Sequence, residues 1–298
     1  MAVTDKQMRL LIIDGHAFAY RAFYAIRGLT SPTGQPTNAI YGFINMLAKL
    51  EAQVLPTHSV VVWDGGLDEG RVEELDDYKA QRDPMPDEME VQLDAMVEYL
   101  EAEGWASVCD DGIEADDRIG QLTRRAEAEG FEVAIASSDK DFFQLINDRV
   151  KMWNPADKSG KPMDAEAVVA KTGVRPEQIV DWLSLVGDTV DNIPGVPGVG
   201  VKTAASLLNE FGSVDEHYRN LAKVSRDKLR EALAAAEANV RRNQSLVALK
   251  LDLPGEPELD ELRRGFQDSA RLEKLYEEWG FKTLLKDLRE ARQGALFE

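Results

Sequence analysis

A single cysteine, Cys109, stands in a chain of 298 residues, so no internal disulfide can form and a small disulfide-stapled fold is excluded. Only three histidines are present, which argues against a histidine-based metal site. No apolar run is long enough to span a bilayer, and no basic leader with an apolar core opens the sequence, so a soluble, cytoplasmic, monomeric protein is expected. Positive charge is scarce too: 35 Lys and Arg against 54 Asp and Glu leave a net charge of −19. Phosphate binding normally leaves a basic footprint, so this balance weighs against a nucleic-acid partner unless the acids have a task of their own. At this length two packed units or one extended domain are expected.

The acids do have a pattern. Asp14, Asp64, Glu114 with Asp116 and Asp117, Asp139 with Asp141, and Asp188 with Asp191 each stand where a strand or loop would end. The runs Leu10 to Ile13, Ser59 to Trp63 and Glu132 to Ala136 read as buried parallel strands, separated by helical patterns. Their carboxyl ends then lie along one edge, where open α/β sheets place ligands. Glu114 to Asp117 fall in the first turn of a helix continued by Ile119, Leu122 and Ala126, a place that favours anions. Asp188 and Asp191 are spaced for one helical face or one turn. Two like charges about 4 Å apart repel by roughly 4 kcal/mol at an effective dielectric near 20. Only hard divalent cations offset such a gathering, so the pattern predicts a metal site for two ions.

Further elements follow from the same reading. Phe18 to Ile26, Asn38 to Glu51 and Asp87 to Glu103 have helical spacing, and Ala106 to Cys109 and Val150 to Trp153 read as additional strands. Gly65 to Pro86 is charged, with few core residues, and reads as a mobile element containing Arg71, Lys79 and Arg82. From about Asp164 onward helix signals dominate. Gly195, Gly198 and Gly200 permit positive φ and close backbone approach ahead of a helix opening near Val201, whose unpaired N–H groups suit a phosphate. Near the amino end, Tyr20 and Arg21 are candidates for stacking on bases and contacting phosphate, with Phe18 and Phe23 as core and His16 as a polar support.

The segments Asp14 to Arg21, Ala39 to Phe43, Tyr78 to Arg82, Glu114 to Asp117, Asp139 to Asp141 and Gly187 to Gly195 resemble the 5′-3′ exonuclease domain of bacterial DNA polymerase I. That domain belongs to the flap endonuclease family, and the resemblance runs from about Leu10 to about Lys250. It implies a free-standing member or an isolated nuclease domain, since no room is left for a polymerase. The implied fold is α/β, a PIN-like, Rossmann-like, mostly parallel sheet with helices on both faces, followed by a helical helix-hairpin-helix region of helix-three-turn-helix type. Residues 1–170 would form the nuclease domain, with a helical arch near 65–86. Residues 171–298 would form the DNA-binding region, with its hairpin near 193–211.

The resemblance also assigns roles. Asp14, Asp64, Glu114 and Asp116 would surround one Mg²⁺ or Mn²⁺, and Asp139, Asp141, Asp188 and Asp191 the second, with Asp117 serving either. Arg71, Lys79 and Arg82 would hold the scissile phosphate, although the acidic lead-in Asp68-Glu69 departs from relatives. Lys202, Thr203 and the hairpin glycines would grip a duplex strand, with K⁺ held by backbone carbonyls. The implied activity is two-metal cleavage of DNA bearing 5′ flaps, nicks or free 5′ ends, RNA-primed ones included, in replication and repair. An inert flap-binding protein would be expected to have lost several acids, and a PIN-type RNA nuclease would lack the hairpin and gateway. Finally, Gln293, Leu296 and Phe297 form a Gln-x-x-Leu-Phe pattern that resembles the peptide by which bacterial enzymes dock on the sliding clamp.

Overall fold

The computed structural model describes residues 7–157 and 159–295. Five strands, β1 (Arg9–Asp14), β2 (His58–Trp63), β3 (Ala106–Cys109), β4 (Glu132–Ala136) and β5 (Val150–Trp153), form one sheet in the order β3-β2-β1-β4-β5. Every neighbouring pair is parallel, which puts all the carboxyl ends on one edge. β1 is central and its side chains alternate between two cores. Leu10 and Ile12 face one, Leu11 and Ile13 the other, and all are buried.

On the Leu11 face lie α1 (Gly15–Ala25), α2 (Asn38–Val54) and α4 (Asp87–Glu103), which contribute Phe18, Phe43 and Met96. The short α3 (Glu69–Glu74) precedes α4 in the chain. On the Leu10 face lie α5 (Ala115–Ala128) and a 3₁₀ turn, Lys140–Leu145, that supply Ile119, Phe142 and Phe143. The same core runs on through α6 (Ala165–Thr172), α7 (Ile179–Val186), α8 (Val201–Phe211), α9 (Val214–Arg219) and α10 (Asp227–Val247), whose Val168, Leu183, Leu208, Val214 and Leu246 are buried in it.

The carboxyl-terminal helices depart from a simple two-block picture. Leu272, Leu275 and Trp279 of α11 (Ser269–Trp279) are buried in the Leu11 core, and Leu284 and Leu285 of α12 (Lys282–Ala295) pack against it. The segment expected to be one helical region is therefore divided between the two sheet faces. A second departure lies in residues 65–86, where Arg71, Tyr78 and Lys79 are each only 4% exposed. The low count of apolar residues there does not make it a poor packer, because its cations are neutralised in place.

Candidate metal centre

The carboxyl edge of the sheet gathers the acids. Asp14 ends β1 and caps α1, its Oδ1 accepting from the Ala17 N–H at 3.1 Å. Its Oδ2 accepts from the Ser137 hydroxyl at 2.7 Å, just beyond the neighbouring β4. The Asp139 N–H donates to that same hydroxyl at 3.1 Å, while its Oδ1 accepts from the Asp141 N–H at 2.9 Å and caps the 3₁₀ turn. Asp116 sits in the first turn of α5. Asp188 ends β6 (Gly187–Asp188), which pairs with β7 (Ile193–Pro194), and Asp191 lies in the turn between them. One carboxylate oxygen from each of Asp141, Asp188 and Asp191 lies within 4.8 Å of the others. Asp14, Ser137, Asp139, Lys140, Asp188 and Asp191 line a cleft of about 370 Å³.

Burial pushes the Asp14 carboxyl up to about 6, and the charges of Asp139 and Asp64 add to the effect against its hydrogen bonds. Burial also drives Asp116 and Asp141 well above the ordinary carboxylate range, with Asp139 the foremost repelling neighbour of each. Such a cluster binds protons more tightly folded than unfolded, so without cations its contribution to stability falls as pH rises from the ordinary carboxylate range through about 6. Asp141 Oδ1 is buried with no hydrogen-bond partner among the described residues. An orphaned carboxylate oxygen inside an all-oxygen cluster fits a hard divalent ion, which takes oxygen ligands and neutralises the repulsion.

The remaining expected ligands are differently placed. Asp64, half-buried just past β2, accepts from the Gly66 N–H at 2.9 Å, and its own N–H donates to His16 Nδ1 at 3.1 Å, which makes His16 a support of this turn. Glu114 is the residue before α5 and Asp117 lies in its first turn. Asp117 accepts two bonds from the Arg71 guanidinium, at 2.7 and 2.8 Å. Glu114 Oε2 accepts from Arg71 at 2.9 Å, from Lys79 Nζ at 2.8 Å and from the Tyr78 hydroxyl at 3.2 Å. Burial pushes the Glu114 carboxyl up, but Lys79 and Arg71 outweigh it and hold the group below its ordinary range. The structure thus brings two expected ligands and two expected phosphate binders together as buried ion pairs. Arg82 is the outward member of its group, its guanidinium 2.8 Å from Asp191 Oδ1 and 43% exposed.

Several partners are not apparent from sequence. Ser137 holds Asp14, Lys140 Nζ sits 3.0 Å from Asp188 Oδ2, and the Lys250 N–H donates to Asp117 at 2.8 Å. The adjacency of Ser137 and Lys140 to Asp139 is a signal that could have singled out the first two. Nothing local marks Lys250.

In the hairpin, only Gly198 of the three singled-out glycines has positive φ, at 79°. Gly195 serves close approach, since a Cβ there would lie 2.1 Å from the Val186 carbonyl oxygen. Gly200 needs neither freedom; it caps α8, and its carbonyl accepts from the Thr203 and Ala204 N–H groups at 2.9 and 3.0 Å. Lys202 is exposed in the first turn of α8 and Thr203 is half-buried beside it. Tyr20 stacks on the exposed Tyr24 with ring centroids 6.5 Å apart, and Arg21 is exposed on the same helix. Phe18 is fully buried and Phe23 is packed against the core. Gln293 is exposed on the last turn of α12, whereas Leu296 and Phe297 fall outside the described residues.

Comparison with known proteins identifies the family and the fold. Residues 9–173 match the family model of the 5′-3′ exonuclease N-terminal resolvase-like domain, and residues 174–270 match that of the 5′-3′ exonuclease C-terminal SAM fold. A 5′-3′ exonuclease of Aquifex aeolicus is 38% identical over 292 residues, covering 97% of this chain and 99% of that protein. DNA polymerase I of Bacillus caldotenax is 39% identical over 284 residues, covering 94% of this chain but 32% of the polymerase, so the chain spans about a third of that relative. Among solved structures, T5 5′-exonuclease with bound zinc superposes with a TM-score of 0.68 at 22% identity, covering 95% of this chain and 98% of that one. The catalytic core of Rad2 in complex with DNA gives 0.61 at 17% identity, covering 94% and 90%. These two likenesses establish a shared fold.

Proposed function

This chain belongs to the 5′-3′ exonuclease family, and from that premise we propose that it is a structure-specific 5′ nuclease acting on DNA with 5′ flaps, nicks or free 5′ ends. One observation carries the reading. Asp188 and Asp191 belong at once to the acidic cleft and to the β6–turn–β7 segment that opens the glycine hairpin, so duplex grip and cleavage share one piece of backbone.

In this account Asp139, Asp141, Asp188 and Asp191 would hold one Mg²⁺ or Mn²⁺, and Asp14 and Asp116 a second, with Asp64 on the same side. When bound, such ions supply the positive charge that favours hydroxide at neutral pH and offsets charge on the departing oxygen. The chain's own groups position the substrate. Arg82 reaches the scissile phosphate from the rim of the cleft, and Lys79 adds positive potential from beneath it. Arg71 fixes the gateway segment by locking Asp117 and Glu114, an indirect part in holding the phosphate. Tyr20 and Arg21 take an unpaired base and its phosphate. Hairpin carbonyls around Gly195 to Gly200 would hold a K⁺, and Lys202 with the N–H groups of Thr203 and its neighbours grips duplex phosphate.

The reading is tested by incubating 5′-labelled flap, nicked duplex, single-stranded DNA and RNA with the protein in Mg²⁺. Short labelled products from the flap and nicked duplex are expected. Cleavage confined to RNA would favour a PIN-type ribonuclease, and binding without cleavage an inert flap holder. Lys202→Glu is expected to weaken binding across sequences and reduce the salt slope by about 1, as for one lost phosphate contact. Unchanged binding over a salt series would remove the hairpin from the interface. We further propose that Gln293, Leu296 and Phe297 dock on a sliding clamp, which would raise local concentration at nicks. Calorimetry of a tail peptide with the clamp decides this, and no binding would refute it.

A further inference from the structure

A short stretch at the end of α10 touches the hairpin, the 3₁₀ turn, α5 and the gateway segment. Asn243 is fully buried, and its Nδ2 donates to the Ser184 carbonyl at 3.1 Å and the Pro194 carbonyl at 2.8 Å, so it holds the end of α7 and the second strand of the hairpin. One turn on, Gln144 bridges to the Val247 carbonyl at 3.1 Å and the Leu249 N–H at 3.2 Å. That glutamine sits in the 3₁₀ turn that contains Asp141. Beyond it the Ala248 carbonyl accepts from Arg71 at 3.0 Å, and the Lys250 N–H donates to Asp117. The Lys250 ammonium lies 2.6 Å from Asp68, the residue whose carboxylate caps α3 in the gateway segment.

We propose that residues 243–250 are a strut that keeps the hairpin in register with the acids and the gateway, and that Lys250 is a positioning residue for cleavage. Its ammonium acts through Asp68 while its backbone N–H holds Asp117 of the Asp117–Arg71 pair, and it touches no substrate. The strut runs off a 21-residue helix anchored in the core by Leu233, Val240 and Leu246, so its two ends move as one body. Reaction rates are sensitive to displacement on this scale, since a misplacement of about 1 Å can cost 10²-fold. The Lys250 side chain is 41% exposed, so its loss disturbs stability little while releasing the gateway end of the strut.

The inference rests on the nuclease reading, and its test separates the two. Lys250→Met and Lys250→Arg are compared with the unaltered chain on a duplex-bearing 5′ flap and on single-stranded DNA with a free 5′ end. Thermal midpoints are followed in parallel. The methionine variant is expected to lose roughly tenfold in kcat on the flap with KM little changed, less on single-stranded DNA, where no duplex loads the hairpin, and arginine is expected to restore it. An equal loss on both substrates would mark a merely structural residue and overturn the proposal. So would no loss, or a change in KM alone. Cleavage of neither substrate by the unaltered chain overturns the nuclease reading itself and the strut with it.

Discussion

Replacing Asp141 or Asp188 with alanine is expected to lower the single-turnover cleavage rate by about a thousandfold, the scale of several kcal/mol of transition-state charge stabilisation. Flap-DNA affinity should stay close to that of the unaltered chain, because the proposed phosphate-gripping groups, Lys202 and the N–H groups that open α8, are separate from the substituted carboxylates. Asp141→Ala should leave the thermal midpoint in EDTA unchanged or raised. Asp141 is held well above its ordinary range by burial and then by its acidic neighbours, so removing it relieves repulsion in the folded state. A loss of activity that tracked a loss of folding would contradict the assignment, as would full activity in either variant.

Arg71→Ala should have the opposite character, damaging the fold first. Its guanidinium is 4% exposed and binds Asp117 and Glu114, themselves 1% exposed. Removing one partner of a buried pair leaves an uncompensated charge and typically costs about 3–5 kcal/mol. Here Lys79 still neutralises Glu114, while among the described residues Asp117 keeps only the Lys250 N–H. Urea titration of Arg71→Ala against the unaltered chain measures the loss. The double variant Arg71→Met/Asp117→Leu, with no buried charge left alone, should recover much of it. A single-variant cost below about 1 kcal/mol would mean that the pair is solvated in solution.

The sheet was legible because its strands are short apolar runs that end in acids, and parallel packing makes those ends converge. The helix expected over Asp87 to Glu103 is found over those residues, since Gly104 ends it in a left-handed conformation. Periodicity marks α11 as having a buried face yet does not say which sheet face it meets, and it returns to the Leu11 core. The pairing of Arg71 with Asp117 was not legible for a related reason. Both residue types suit an active site equally well as separate tools or as partners, and only the fold decides. The surplus of acid likewise gave no warning that Glu114 and Asp117 are neutralised internally while Asp141 is left with an unpartnered oxygen.

The account stands most directly on the claim that the cleft lined by Asp14, Asp139, Asp188 and Asp191 holds divalent cations. Calorimetric titration of Mn²⁺ at pH 7.5 and pH 5.5, in buffers of different ionisation enthalpy, measures both affinity and proton release. Asp14 is pushed up to about 6 and Asp116 and Asp141 higher than usual, so the ion must displace protons that the folded cluster holds. Binding is expected to release protons, to weaken at the lower pH, and to lose one of two sites in Asp141→Ala. Absence of binding, or equal binding by the variant with no proton release, would contradict the metal centre.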